Sequence, residues 1–365
     1  MEVWRLIDLG MAEPVLAQTF YEAVAFSVDK GLSPNTIVLV QPSSPYVCVG
    51  FHQELEREVN MKYCQRRKLP IVRRSQGGGA VYLDSNQIFY QIVARRESKI
   101  IPLGVEELFE KFLEVTIQVY RRLGLPAEFK AVNDVVVKGR KISGNGAGSF
   151  GDNTVILVGN IILDLDFESM ANVLKVSDEK FRDKMFGSMV EWLTSLRKEL
   201  GFIPPINEIK DLLAEGYEQI LGIELVRSEP TEYERITWEE EVAPRHSSQD
   251  WLQMGGSTHK RKVEGRAVKI VDGVKVVEIE YKAKKLIRIR AELGEDRILG
   301  IVISGDFFVV PKEAIKELES SLSGATLDRG EILNRVHRFY ENTGAETPGI
   351  TEEDFAEAIM KLRSL

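Results

Sequence analysis

The stretch Asn133-Asp134-Val135-Val136-Val137-Lys138-Gly139-Arg140-Lys141-Ile142-Ser143-Gly144 sets the reading of the fold. Two short runs, over 135–138 and 140–143, flank a glycine turn, so the segment reads as a β-hairpin with a basic tip. Asp134 supplies a carboxylate of the kind that holds magnesium beside substrate phosphates. Lys141 sits between Gly139 and Gly144, where small neighbours leave a cationic side chain room to reach a ligand. A surface hairpin with a solvated Lys138-Gly139-Arg140 turn accounts for the same residues without chemistry.

Upstream, Arg73-Arg74-Ser75-Gln76-Gly77-Gly78-Gly79-Ala80-Val81-Tyr82 places three glycines between strands expected over 70–73 and 80–83. Such a run lets backbone N–H groups approach a ligand, and arginine pairs bidentately with phosphate or carboxylate. No Lys-Ser/Thr follows the glycines and they do not open a helix, so neither a Walker loop nor a dinucleotide fingerprint is present. A glycine-rich hairpin with exposed arginines is the competing reading.

Working outward, strands are expected over 3–7, 36–40, 46–49 and 87–94, with a helix over 14–28. Val105, Leu108, Phe109, Phe112, Val119 and Leu123 recur at three- and four-residue intervals, which predicts an amphipathic helix. A long apolar strand follows over 155–163, then helical segments over 167–221. Composition shifts near 228 to prolines and the acidic run Glu239-Glu240-Glu241, so 229–256 reads as a connecting segment. Beyond it, alternation over 274–281, 285–292 and 297–304 predicts a strand meander. Helices over 312–322, 329–342 and 351–362 close the chain, the last with a capping box at Thr351. The fold class is α+β, with mixed and antiparallel sheets packed by helices. Residues 1–228 are expected to form a larger α+β domain and 257–365 a small α+β one.

Composition limits the function. Lys and Arg number 48 against 56 Asp and Glu, a net −8, the wrong sign for a general nucleic-acid binder. No apolar run approaches a membrane span, and the N-terminus lacks a signal-peptide pattern, so a cytoplasmic protein is expected. Two cysteines, Cys48 and Cys64, are too few for a disulfide framework, and four scattered histidines form no metal spacing. His52, just after Val49-Gly50, is read as satisfying a turn or facing a pocket. His246, His259 and His337 are read as structural or solvent-facing.

Together the two motifs suit one reaction. A carboxylate attacking the α-phosphate of a nucleotide concentrates negative charge, and positioned cations and N–H donors stabilise it. The chain resembles the lipoate–protein ligase family, within the biotin/lipoate ligase fold, across about residues 3–225. That family's Arg-Arg-x-x-Gly-Gly-Gly-x-Val-Tyr motif is matched at 73–82, and its Asn-Asp…Gly-Arg-Lys-x-Ser-Gly motif at 133–144. Trp4-Arg5-Leu6-Ile7-Asp8 and Val49-Gly50-Phe51-His52-Gln53 fit in the same order. Gly305-Asp306-Phe307-Phe308, Leu318-Glu319 and Leu322-Ser323-Gly324 are similar to the family's accessory domain, needed there for activation.

The resemblance implies an ATP- and Mg2+-dependent ligase, AMP-forming, that makes lipoyl-adenylate from lipoate and passes it to a carrier lysine. The carriers it implies are the acyltransferase component of 2-oxoacid dehydrogenases and the glycine cleavage H protein. Lys141 would orient the carboxylate. Arg73, Arg74, Gly77, Gly78, Gly79, Tyr82, Ser143 and Gly144 would bind substrate, with Tyr82 walling an apolar pocket. Asn133, Asp134 and Arg140 would bind nucleotide, and Asp134 would also face the metal. The family's His-Gly-Thr/Ser after the lysine motif is replaced here by Leu157-Val158-Gly159-Asn160. The alternatives are an octanoyl or lipoyl transferase between carrier proteins and a non-catalytic acyl-binding homologue. A thioester-forming transferase needs a thiolate near the lysine, and no cysteine occurs between Phe129 and Asp166.

Overall fold

A computed structural model of the chain describes residues 1–176, 179–254, 268–271, 274–294 and 297–364. It divides into two compact units: Met1–Val49, Glu58–Arg74 and Ala80–Leu252 in the first, and Gly50–Arg57, Ser75–Gly79 and Gln253–Leu365 in the second.

The first unit is built on an eight-stranded sheet and a three-stranded one. In chain order its strands are β1 (Glu2–Ala12), β2 (Thr36–Pro42), β3 (Tyr46–Val49), β4 (Ile71–Arg73), β5 (Val81–Leu83), β6 (Gln87–Arg95), β7 (Ala127–Lys130), β8 (Asp134–Val137), β9 (Arg140–Phe150), β10 (Thr154–Ile162) and β11 (Ile223–Arg227). The large sheet runs β11-β1-β2-β6-β10-β9-β8-β7, and β4-β3-β5 form a small one. β1 pairs in parallel with both β2 and β11, whereas the pairs from β2 through β7 are antiparallel, so the sheet is mixed.

The helix Pro14–Asp29 covers one face, burying Phe20, Tyr21, Val24 and Val28 against Ile7, Val38, Val93 and Ile156. Pro14 at its first turn supplies a preset φ, and the Glu13 carboxylate accepts from the N–H groups of Val15 and Leu16. The helix Val105–Arg122 buries Val105, Leu108, Phe109, Phe112 and Val119, the stripe that periodicity picked out.

The segment expected to be a connector folds onto the first unit as far as Leu252. Thr231 and Glu234 close a capping box, and the Glu234 carboxylate pairs with buried Arg5. Trp238 packs at the helix Pro14–Asp29, its indole donating to the Thr19 hydroxyl at 3.0 Å. Residues 255 and 256 of that expected connector, His259 and the start of the expected accessory domain lie outside the described residues.

The second unit holds the meander β12 (Val268–Val271), β13 (Val274–Lys282), β14 (Leu286–Leu293) and β15 (Ile298–Gly305). Ile287, Ile289, Ala291, Ile301 and Ile303 alternate inward onto the helices Ile315–Leu322, Arg329–Thr343 and Glu352–Met360. The expected capping box at Thr351 is present.

Candidate active site

The β8–β9 hairpin closes through Lys138 and Gly139, whose φ values of 51° and 77° are both left-handed, the conformation a two-residue hairpin turn requires. Val137 pairs with Arg140, Val136 with Lys141, Val135 with Ser143 and Asp134 with Gly144, so Ile142 is the extra residue of a β-bulge. That single insertion decides the chemistry. Side chains alternate along a strand, and without the bulge Lys141 would share the face of Ser143. With it, Lys141 faces the same side as Asp134 and Gly144.

The Lys141 ammonium lies 2.6 Å from Asp134 Oδ1, with the two side chains 36% and 30% exposed. A Cβ on Gly144 would stand 3.3 Å from Lys141 Cε, so bare backbone there gives the lysine arm its space. Asn160 on β10 reaches the same spot: its Oδ1 accepts from Gly144 N–H at 2.8 Å, and its Nδ2 donates to Gln87 Oε1 at 2.7 Å.

The opposite face holds a buried polar network. Asn133 and Asn145 exchange side-chain-to-carbonyl hydrogen bonds, and Asn145 also donates to Ser143 Oγ. Tyr90 donates to Asn145 Oδ1, and burial pushes its phenol up to about 12, so it stays a protonated donor. Gly159 lies under this network, where a Cβ would meet Asn145 Oδ1 at 2.0 Å and the Tyr90 hydroxyl at 2.4 Å. Asn133 and Ser143, expected to touch ligands, are thus part of the hairpin's foundation, 5% and 0% exposed.

Arg140, expected at the nucleotide, is paired with the buried Glu199 carboxylate, which Lys138 and the Thr194 hydroxyl also reach. Burial acts to raise the Glu199 carboxyl, but the Thr194 hydrogen bond and the Arg140 and Lys138 charges outweigh it and hold the group below its ordinary value. Thr194 N–H donates to the Lys141 carbonyl at 2.9 Å, so this cluster fixes the outer edge of the hairpin.

The glycine-rich motif is placed differently. Arg73 has no solvent exposure: its guanidinium donates to the Leu252 carbonyl at 2.8 Å and 3.2 Å. Burial, against an opposing effect of Cys48 and with a smaller push from the Arg74 charge, lowers its pKa to about 10. Its carbonyl accepts from Trp251 Nε1 at 3.0 Å and His246 Nδ1 at 2.8 Å. His246, read as structural, is buried with Nε2 against Glu22 at 2.9 Å. Arg74 contacts Cys48 Sγ at 3.6 Å.

Gly77, Gly78 and Gly79, expected to line the acyl and nucleotide site, belong to the second unit. There Gly78 N–H donates to the Phe307 carbonyl at 3.2 Å, and a Cβ on Gly77 would lie 2.3 Å from that oxygen. The ring of His52, also in this unit, stacks on Phe307 at 5.2 Å. Tyr82 is half-buried, and burial raises its phenol to about 12. Gly77 and Gly78 thus stand close to the protein backbone at Phe307.

Both cysteines are buried thiols, Cys48 on β3 and Cys64 in the helix Met61–Arg67, and burial pushes each above its ordinary range. Sequence reading missed Tyr90, Gln87, Asn145 and Glu199. Only Asn145 had a signal, its place two residues past Ser143 on the same face of a strand.

This mixed sheet and its bulged hairpin define the chain as an α+β protein. The family model described as lipoyl protein ligase A/B catalytic domain matches residues 13–218, and the chain belongs to that family. Octanoyltransferase LipM of Moorella thermoacetica is 26% identical over 271 residues, covering 69% of this chain and 98% of that protein. Lipoate-protein ligase A subunit 1 of Thermoplasma acidophilum is 27% identical over 214 residues, 56% of this chain and 79% of that one. The solved structure of P. falciparum LipL1 in complex with lipoate shares the fold at a TM-score of 0.67, with 10% identity and 99% of each chain covered.

Proposed function

We propose that the chain is an ATP-dependent ligase that attaches lipoate, or its octanoyl analogue, to a lysine of a lipoyl-carrier domain. The observation that carries this reading is the state of the two thiols. Cys48 and Cys64 are buried with their pKa values raised, so neither is primed as a thiolate. A transferase working through a cysteine thioester has no nucleophile of that kind here, whereas carboxylate activation needs none. A second support is length: the octanoyltransferase relative is matched over 98% of its length by 69% of this chain, so nearly a third of this chain has no counterpart in it.

In the proposed reaction a carboxylate oxygen of lipoate attacks the α-phosphorus of ATP. The O–P bond forms, the bond to the β-phosphate oxygen breaks, and pyrophosphate leaves. The carrier lysine's neutral amine then attacks the acyl carbon, AMP leaves, and the amine proton passes to solvent. Lys141 holds the carboxylate and balances charge at the α-phosphate. Gly144 gives the lysine arm clearance. Arg74 is the remaining candidate for added cationic support from the glycine motif, since the Arg73 guanidinium is buried on the Leu252 carbonyl.

Magnesium fits the donor set in a limited way. Among the described residues no cluster of three or more His, Cys, Asp or Glu could hold a metal. Asp134 alone would contact it, the remaining positions going to phosphates and water, which is how Mg2+ usually binds. Bound there, it would neutralise phosphate charge.

The octanoyltransferase relatives favour a second reading, transfer of an octanoyl group between carriers without ATP. In that case Lys141 would act on the incoming amine directly. The two are separated by pyrophosphate release from MgATP with lipoate, octanoate or no acid, run beside ATP-free transfer from an octanoyl-carrier protein. Acid-dependent pyrophosphate release is the expected result. ATP-free transfer without any pyrophosphate would replace the ligase by the transferase.

A further inference from the structure

Asn160 and Gln87 lie on the lysine's side of the large sheet, and register explains why. Asn160 pairs with Phe89 across β10 and β6, so Gln87, two residues along, is its diagonal neighbour on the same face. Gly159, the preceding residue, pairs with both Tyr90 and Asn145 and faces the buried network instead. One sheet face therefore carries Tyr90, Asn145 and Ser143, and the other carries Gln87, Asn160, Gly144 and Lys141.

We propose that Asn160, with Gln87 behind it, is a positioning residue for Lys141. Its Oδ1 takes the Gly144 N–H, and its Nδ2 is fixed by Gln87 Oε1, so the amide cannot flip without losing both bonds. Gly144 is the residue against which the lysine arm lies, its Cβ direction 3.3 Å from Cε and 3.5 Å from Nζ. Asn160 Oδ1 itself stands 3.9 Å from that Cβ direction. Fixing Gly144 thus fixes one wall beside Lys141, and Asp134 at 2.6 Å fixes the other. The brace uses a neutral amide. It adds no charge to compete with Asp134 for the ammonium, and it carries no proton that titrates near neutrality.

This inference rests on the assignment of Lys141 to acyl chemistry, and its test is built to fail separately. Turnover is measured in whichever assay the wild-type enzyme supports, acid-dependent pyrophosphate release or carrier-to-carrier transfer. Asn160→Ala is expected to lower kcat about tenfold while KM for the acyl substrate moves less than about threefold. Gln87→Ala, which leaves Asn160 in place but unanchored, is expected to give a smaller loss in the same parameter.

Asn160→Asp gives a readout that a structural role would not move. Its protonated carboxyl can accept from Gly144 and donate to Gln87 as the amide does, whereas its carboxylate loses the donor and attracts Lys141. Its kcat relative to wild type is therefore expected to rise as pH falls from about 6 to about 3.5, across the ordinary aspartate value of about 3.9. Melting temperatures taken at both ends separate this from unfolding. Wild-type kcat in Asn160→Ala, or a flat ratio for folded Asn160→Asp together with an unchanged Gln87→Ala, would overturn the proposal. Pyrophosphate release absent from the wild type would instead overturn the ligase reading and leave this one standing in the transfer assay.

Discussion

The hairpin over 134–144 and the segment over 73–79 both look like anion sites in sequence, yet the structure treats their cations in opposite ways. Lys141 is about one-third exposed, with a single carboxylate beside it and a glycine clearing its path. Arg73 is sealed, its guanidinium on a main-chain carbonyl and its own carbonyl held by Trp251 and His246. What separates them is local geometry more than residue type. A bulge at Ile142 turns the lysine to an open face, whereas the segment 243–252 closes over Arg73. A conspicuous cation in a motif is therefore evidence of a site only once its face is known.

Two substitutions break this contrast at its ends. Lys141→Ala is expected to reduce acyl-dependent turnover by about a thousandfold or more, with an unfolding midpoint close to wild type. Kinetic assays beside a urea titration check both halves, and retained turnover would remove Lys141 from the reaction. Arg73→Ala is expected to do the reverse in kind. Truncating a fully buried side chain leaves a cavity and an unpaired Leu252 carbonyl, a loss of about 2–4 kcal/mol. The urea midpoint reads it directly. An Arg73→Ala protein of unchanged stability but lost turnover would show that this arginine leaves its buried position to meet substrate.

Much of the fold was legible because burial imposes periodicity. The helix expected over 105–123 is Val105–Arg122, and the meander over 274–304 appears as β13, β14 and β15 within a residue or two at each end. β9 was harder to read. It was expected to stop at Ser143 but continues to Phe150, because Gly144, Gly146 and Gly148 remove the side-chain alternation that marks a strand. The helices after residue 231 were also obscured, since their acids and prolines look like a linker. The capping pair Thr231 and Glu234 was the available signal there.

For the site, the motif put Asp134 and Lys141 in one hairpin, but neither their ion pair nor its cause was legible. Register is a property of two strands together, and nothing in 140–144 alone says that Ile142 is the bulged residue. The same holds for Glu199, which lies 59 positions from the arginine it binds. Such long-range partners leave no local pattern.

The smallest expected effect is also the most decisive. A chain carrying Cys48→Ala and Cys64→Ala is assayed for lipoate-dependent adenylate formation beside the Lys141→Ala chain. The account predicts adenylate formation within about threefold of wild type in the cysteine-free protein, and none in the Lys141 variant. Loss of activity in the folded cysteine-free protein, with Lys141→Ala still active, would contradict it.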